Sequence, residues 1–144
     1  MSNLRVFIDA ADGDAGDWTE LTDGADPAVR LAARDLQHAQ RAGDRLRADT
    51  GAAVVLDLTV LVAEDRRAAR RLLAAAQPAG DAVHYVGTVE GLAGLVDDIY
   101  TLGVADGVTL IPASGQQDVR AVGEQTLRRL RSRGHTGGPV RALV

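Results

Sequence analysis

Apolar residues along this chain follow two spacings, and the switch between them marks the elements. Arg5-Val6-Phe7-Ile8-Asp9 is a short apolar run and reads as a buried strand. The stretch from Asp9 to Asp26 holds seven acids and no base. Its only large apolar residues are Trp18 and Leu21, so it reads as a loop with one helical turn pinned by Trp18. Asp26-Pro27 is a helix-start pair, an acid at the N-cap and proline at the first helical position. Val29, Ala32, Ala33, Leu36 and Ala39 follow at helical spacing, and the pattern runs on to Leu46 and ends at Thr50-Gly51.

Ala53 to Ala63 is the clearest strand. Val54, Leu56, Leu58, Val60 and Val62 share one face; Val55, Asp57, Thr59 and Leu61 share the other. Apolar side chains on both faces suit a parallel strand covered on both sides. Glu64 to Ala76 reads as a helix with four arginines outward, and Gln77 to Asp81 as a loop. Val83–Val86 is a strand, and Thr88 caps the helix whose stripe is Val89, Leu92, Ala93, Val96, Ile99 and Tyr100. Gly103 stops that helix. Val108–Ile111 is a further strand, and a last helix buries Val119, Val122, Leu127 and Leu130.

Strands alternating with helices imply βαβ units and a parallel sheet. The expected fold is therefore α/β, with about four βα units, half the strand count of an eight-stranded barrel. Residues 1–134 are expected to form a single domain, and 135–144 a mobile C-terminal tail.

Composition narrows the function classes. Aromatics are 3% of the chain, which argues against a stacking platform for single-stranded nucleic acid. The net charge is −4, so no general attraction to phosphate backbones is expected. The sixteen residues counted as Lys or Arg are all Arg, which excludes lysine nucleophiles and Schiff bases. There is no Cys, hence no disulfide and no thiolate chemistry. No apolar run reaches the roughly 20 residues that span a bilayer, and no signal peptide is evident. A cytoplasmic protein is expected, with no nucleic-acid or membrane partner.

Three pieces, in order, carry a family likeness. The first is Val55-Leu56-Asp57-Leu58-Thr59-Val60-Leu61-Val62-Ala63-Glu64-Asp65 with the Ala- and Arg-rich helix after it. The second is Val86-Gly87-Thr88-Val89-Glu90, and the third is Ala105-Asp106-Gly107-Val108-Thr109-Leu110 after Gly103. Together they resemble the C-terminal end of luciferase-like flavin-dependent monooxygenases, over roughly 53–134. The family often has proline where Val89 stands, and its N-terminal barrel half has no counterpart here. The resemblance implies a half-TIM-barrel-like relic. It implies an accessory or cofactor-binding protein for a flavin such as FMN, or for a deazaflavin, without independent monooxygenase activity. Three alternatives stay open: a flavin-dependent oxidoreductase whose site is shared across a dimer, an interaction subunit that completes a partner's barrel, and a cofactor-free enzyme. A half barrel exposes sheet edges and a lumen face, so a homo-oligomer or a partner barrel protein is expected.

Ligands of parallel α/β folds bind at the C-terminal ends of strands, beside helix N-termini. Two places qualify. Gly87-Thr88 offers backbone N–H groups and a hydroxyl, and Ser114-Gly115 follows the Val108–Ile111 strand. These four are the candidate cofactor-binding residues, each weighed against a plain cap or turn. Asp57, His84 and Tyr85 are the candidate catalytic residues for a cofactor-free lumen, weighed against a buried, satisfied aspartate and a surface histidine. No metal site is expected, since His38, His84 and His135 lack ligand spacing. The run Asp12-Gly13-Asp14-Ala15-Gly16-Asp17 also fails the calcium-loop pattern. The basic last helix and the acidic segment 9–26 lie at opposite ends of the chain, a pairing suited either to solvation or to contact between subunits.

Overall fold

The computed structural model describes residues 4–9, 18–75, 82–114 and 117–133. Its strands are β1 (Arg5–Asp9), β2 (Trp18–Glu20), β3 (Ala28–Leu31), β4 (Ala53–Val62), β5 (Val83–Gly87) and β6 (Gly107–Pro112). Its helices are α1 (Leu36–Thr50), α2 (Arg66–Ala75), α3 (Val89–Thr101) and α4 (Val119–Ser132). The fold is α/β with a mostly parallel sheet, in the order β2-β1-β6-β4-β3. Among the described strands only β2 runs antiparallel, against β1.

β4 organises the sheet because it is ten residues long. Along one edge it pairs β6 from Val55 to Val60. Along the other it pairs β3 through Ala53–Leu56 and then β5 through Leu58–Val62. In a barrel segment each strand lies beside the next in the chain. Here β3 and β4 follow in that sense, but β5, the next strand in the chain, shares β4's edge with β3, while β6 takes the other edge and β1 lies against β6.

The register sorts side chains onto two faces. Leu4, Val6, Ile8, Leu31, Val54, Leu56, Leu58, Val60, Val108 and Leu110 meet Leu92, Val96, Ile99, Val122, Leu127 and Leu130 of α3 and α4 in one core. The second face carries Arg5, Phe7 and Asp9 of β1, Thr109 of β6, Val55, Asp57, Thr59 and Leu61 of β4, Arg30 of β3 and His84 of β5. Leu61 and Ala69 of α2 are buried apart from the main core. The sheet curls toward this second face. Arg30 on β3 reaches Asp9 on β1 at 3.0 Å, although two strands separate them. At about 4.8 Å per strand a flat sheet would hold those backbones roughly 14 Å apart.

Two expectations are corrected. The helix expected from Asp26-Pro27 begins later: Ala28–Leu31 is a strand, and α1 starts at Leu36. Val29 and Leu31 turn toward the core while Arg30 points to the second face, a period of two rather than 3.6. The true cap is Asp35, whose Oδ1 accepts from His38 N at 2.7 Å. The helical turn expected around Trp18 is instead β2, held to β1 in register and by ring stacking. The tail 135–144 lies outside the described residues.

Two of the likeness-bearing residues have local work. Asp106 Oδ2 accepts from Val54 N at 2.8 Å and from Arg47 Nε at 3.0 Å, tying the start of β4 to α1 and to the β6 turn. Gly107 must lack a side chain, since a Cβ there would sit 2.3 Å from the Arg5 carbonyl oxygen.

Candidate functional site

The two expected turns flank the end of β4 at the C-terminal edge of the sheet. Gly87 ends β5 opposite Val62. On the other side, Gln117 grips Val62 at two points: its Oε1 accepts from Val62 N at 2.7 Å and its Nε2 donates to Val62 O at 3.1 Å. Ser114 begins that turn, its carbonyl accepting from Gln117 N at 3.1 Å. Gly115 lies outside the described residues.

Thr88 is the N-cap of α3, and its Oγ1 accepts from Gly91 N at 3.2 Å. The next two amides, of Val89 and Glu90, have no acceptor among the described residues, as expected of a helix start. Tyr85 lies across this end, its hydroxyl donating to Thr88 O at 2.8 Å. A Cβ at Gly87 or Gly91 would fall 2.5 or 2.2 Å from that hydroxyl. Both glycines are thus accounted for by the tyrosine, without a ligand. Beside them a groove of ≈ 530 Å³ opens between α2 and α3, lined by Arg66, Arg70, Gly87, Thr88 and Gly91. Neither arginine is ion-paired among the described residues. An anion placed here would meet two guanidinium groups and the positive end of α3.

The second face holds a separate polar cluster. Arg30 donates from Nε to Asp57 at 3.0 Å and from Nη1 to Asp9 at 3.0 Å. Its guanidinium also lies over the Trp18 ring, 5.6 Å from the centroid. Trp18 stacks on Phe7 with centroids 4.4 Å apart and donates from Nε1 to the buried Thr109 hydroxyl at 2.8 Å. The chain's own side chains therefore occupy the part of this face that Phe7, Thr109 and Asp57 span in register. Burial pushes the Asp57 carboxyl above its usual range, and its bonds to Arg30 offset this only in part. Arg30 is raised although burial opposes it, because Asp57 and Asp9 both hold its charge. The two partners of one ion pair thus point opposite ways on the merit of pairing. Desolvation governs Asp57, whose side chain is 19% exposed against 31% for Arg30.

Asp57, His84 and Tyr85 do not converge. His84 is exposed and stands opposite Thr59 on the second face, whereas its neighbour Tyr85 packs toward the core side. Neighbours on a strand point oppositely, so the two cannot serve one centre from β5. Sequence reasoning missed Arg30, because it was assigned to a helix, and Arg66 and Arg70 as neighbours of Thr88. It also missed Arg5, which donates to both oxygens of Glu20 at 2.9 and 2.8 Å. At Glu20 burial works upward, but the bonds from Arg5 and Thr22 outweigh it and lower the carboxyl.

A pH signature follows. A carboxyl raised on folding binds its proton more tightly in the native state, so its contribution to stability falls as pH rises from the unfolded to the folded value. Glu20 acts in the opposite sense, adding stability as pH rises through the range below the ordinary carboxylate value. Asp57→Asn should therefore gain stability relative to the parent chain as pH rises through the acid range, with the difference levelling above the folded value of Asp57. Urea unfolding at stepped pH measures that difference; a difference that shrank as pH rose would contradict it.

Among the described residues no group of three or more His, Asp or Glu could hold a metal ion. No helix among them is long and apolar enough to cross a membrane. No family model matches the chain, and no curated protein matches it significantly.

Proposed function

We propose that this chain is a small accessory protein of luciferase-like ancestry that binds the phosphate end of a flavin or deazaflavin and has no monooxygenase activity of its own. The observation that carries the reading is the groove at the start of α3, which Arg66, Arg70, Thr88 and Gly91 line together. The fit is electrostatic: a phosphate takes bidentate hydrogen bonds from guanidinium groups and favours a helix N-terminus. The mostly parallel, curled sheet supports a half-barrel ancestry. The occupied second face supports the lack of independent chemistry. In a barrel that face would be open to a ring system, and here Phe7, Trp18 and Arg30 stand on it.

The cofactor-free enzyme reading is weaker on this geometry, because Asp57 is committed to Arg30 and Tyr85 lies away from His84. The test is a fluorescence titration of FMN, with riboflavin as the phosphate-free control. FMN should quench saturably at micromolar protein, and riboflavin should bind more weakly. Arg66→Ala with Arg70→Ala should weaken FMN about tenfold, equivalent to roughly 1.4 kcal/mol. An absence of saturation up to about 1 mM, or roughly 4 kcal/mol of affinity, would sink the FMN reading.

A further inference from the structure

Helix α4 presents an arginine stripe that the groove at α3 does not use. Of its arginines, Arg129 pairs with Glu90 at 3.6 Å, and Arg133 at its C-cap pairs with Asp97 at 3.1 Å. Arg120, Arg128 and Arg131 have no ion-pair partner among the described residues. All three line one groove of ≈ 470 Å³ together with Glu124 and Leu127 of the same helix, so the stripe keeps a net positive charge; the other wall is Glu20 and Leu21 at the end of β2. The stripe spans about 16 Å along the helix at 1.5 Å per residue.

Beyond that wall the chain makes an acidic turn with Asp23 and Asp26, both exposed. The turn is fixed in place. Gly24 N donates to Glu20 at 3.1 Å, and Arg5 Nη1 donates to the Asp26 carbonyl at 2.7 Å. Leu21 seats it on α4, where a Cβ on Gly123 would fall 2.6 Å from the leucine methyl. Glu20 itself is committed to Arg5. An acidic turn therefore continues from the Glu20–Leu21 wall of the groove that the basic stripe lines, on one molecule.

Such a face is self-complementary. A two-fold axis brings residue i of one copy to residue j of the other and j to i, so one rotation makes the same acid–base contact twice. We propose that two copies of this chain associate through this surface, the turn at Asp23 and Asp26 of each seated on the Arg120–Arg128–Arg131 stripe of the other. The occupant is a second copy because the complementary charge is carried by this chain beside the groove. The proposal does not depend on the flavin reading.

The experiment is sedimentation equilibrium of the full chain at low and high salt. The parent chain should dimerise at low salt and dissociate as added salt screens the contact. Arg128→Glu and Asp23→Arg, both at exposed positions, should each weaken the dimer about tenfold or more, with thermal melting unchanged at high salt, where parent and variants are all monomeric. An equimolar mixture of the two variants should recover it. In the mixed dimer one contact keeps Asp23 against Arg128, and the other has its charges exchanged. A chain that stays monomeric at low salt, a dimer indifferent to both reversals, or a mixture that fails to recover would each overturn the proposal.

Discussion

Trp18→Ala is expected to destabilise the fold by about 3 kcal/mol, the low end for loss of a large aromatic from a packed site, because the ring is only partly buried. Three contacts vanish together. The stacking on Phe7, at 4.4 Å and 12° between planes, contributes about 1 kcal/mol beyond its burial. The contact beneath Arg30 contributes less than about 1 kcal/mol at this exposure. The Thr109 hydroxyl, fully buried, loses the donor that Trp18 Nε1 supplies. Trp18→Phe keeps the ring and loses the bond, so it should fall between the parent and the alanine variant. Urea unfolding followed by circular dichroism measures both. A Trp18→Ala chain within about 0.5 kcal/mol of the parent, the range of ordinary surface substitutions, would mean that β2 does not close the second face.

Arg30→Ala is the second large effect, expected at about 2 kcal/mol. Exposed pairs are worth below about 1 kcal/mol, while removing one partner of a buried pair costs about 3–5 kcal/mol. The Arg30 network stands between those limits, with side chains 31%, 21% and 19% exposed for Arg30, Asp9 and Asp57. Its removal leaves Asp9 and Asp57 without their shared cation and unties β1 from β3. The Asp57 carboxyl, already raised by burial, should rise further, so the loss should be smaller in acid than at neutral pH. In the double variant with Asp57→Asn the two losses should not add, since the residues share one bond. Simple additivity, or a loss independent of pH, would remove Arg30 from its place as the bridge.

Local patterns along the chain identified the elements that bury one consistent face. β4 was legible because apolar residues occupy both of its faces, and α3 because Thr88 caps it and Gly103 follows with φ 75. The segment from Asp26 to Leu36 misled because Val29, Ala32, Ala33 and Leu36 fit a helical period by chance of small residues. The alternation Val29-Arg30-Leu31 and the acid at Asp35 were the competing signals, and pairing with β4 decided between them. Strand order was not legible, since no local spacing tells β1 to lie against β6. The cap at Thr88 was legible through its capping chemistry. Arg66 and Arg70 were correctly read as outward on α2, but their nearness to Thr88 arises only when α2 packs across β5. The division between His84 and Tyr85 was available from the two-residue period of a strand.

Under the proposed function a ligand phosphate meets this chain at the start of α3, while the second face is held by its own side chains. Amide-resolved nuclear magnetic resonance during an FMN titration tests both halves at once. Saturable shifts centred on the amides of Thr88, Val89 and Glu90 are expected, lost in the Arg66→Ala/Arg70→Ala chain, with Phe7, Asp57 and Thr109 unmoved. Shifts centred on Phe7, Asp57 and Thr109, or no shifts up to about millimolar FMN, would contradict that reading.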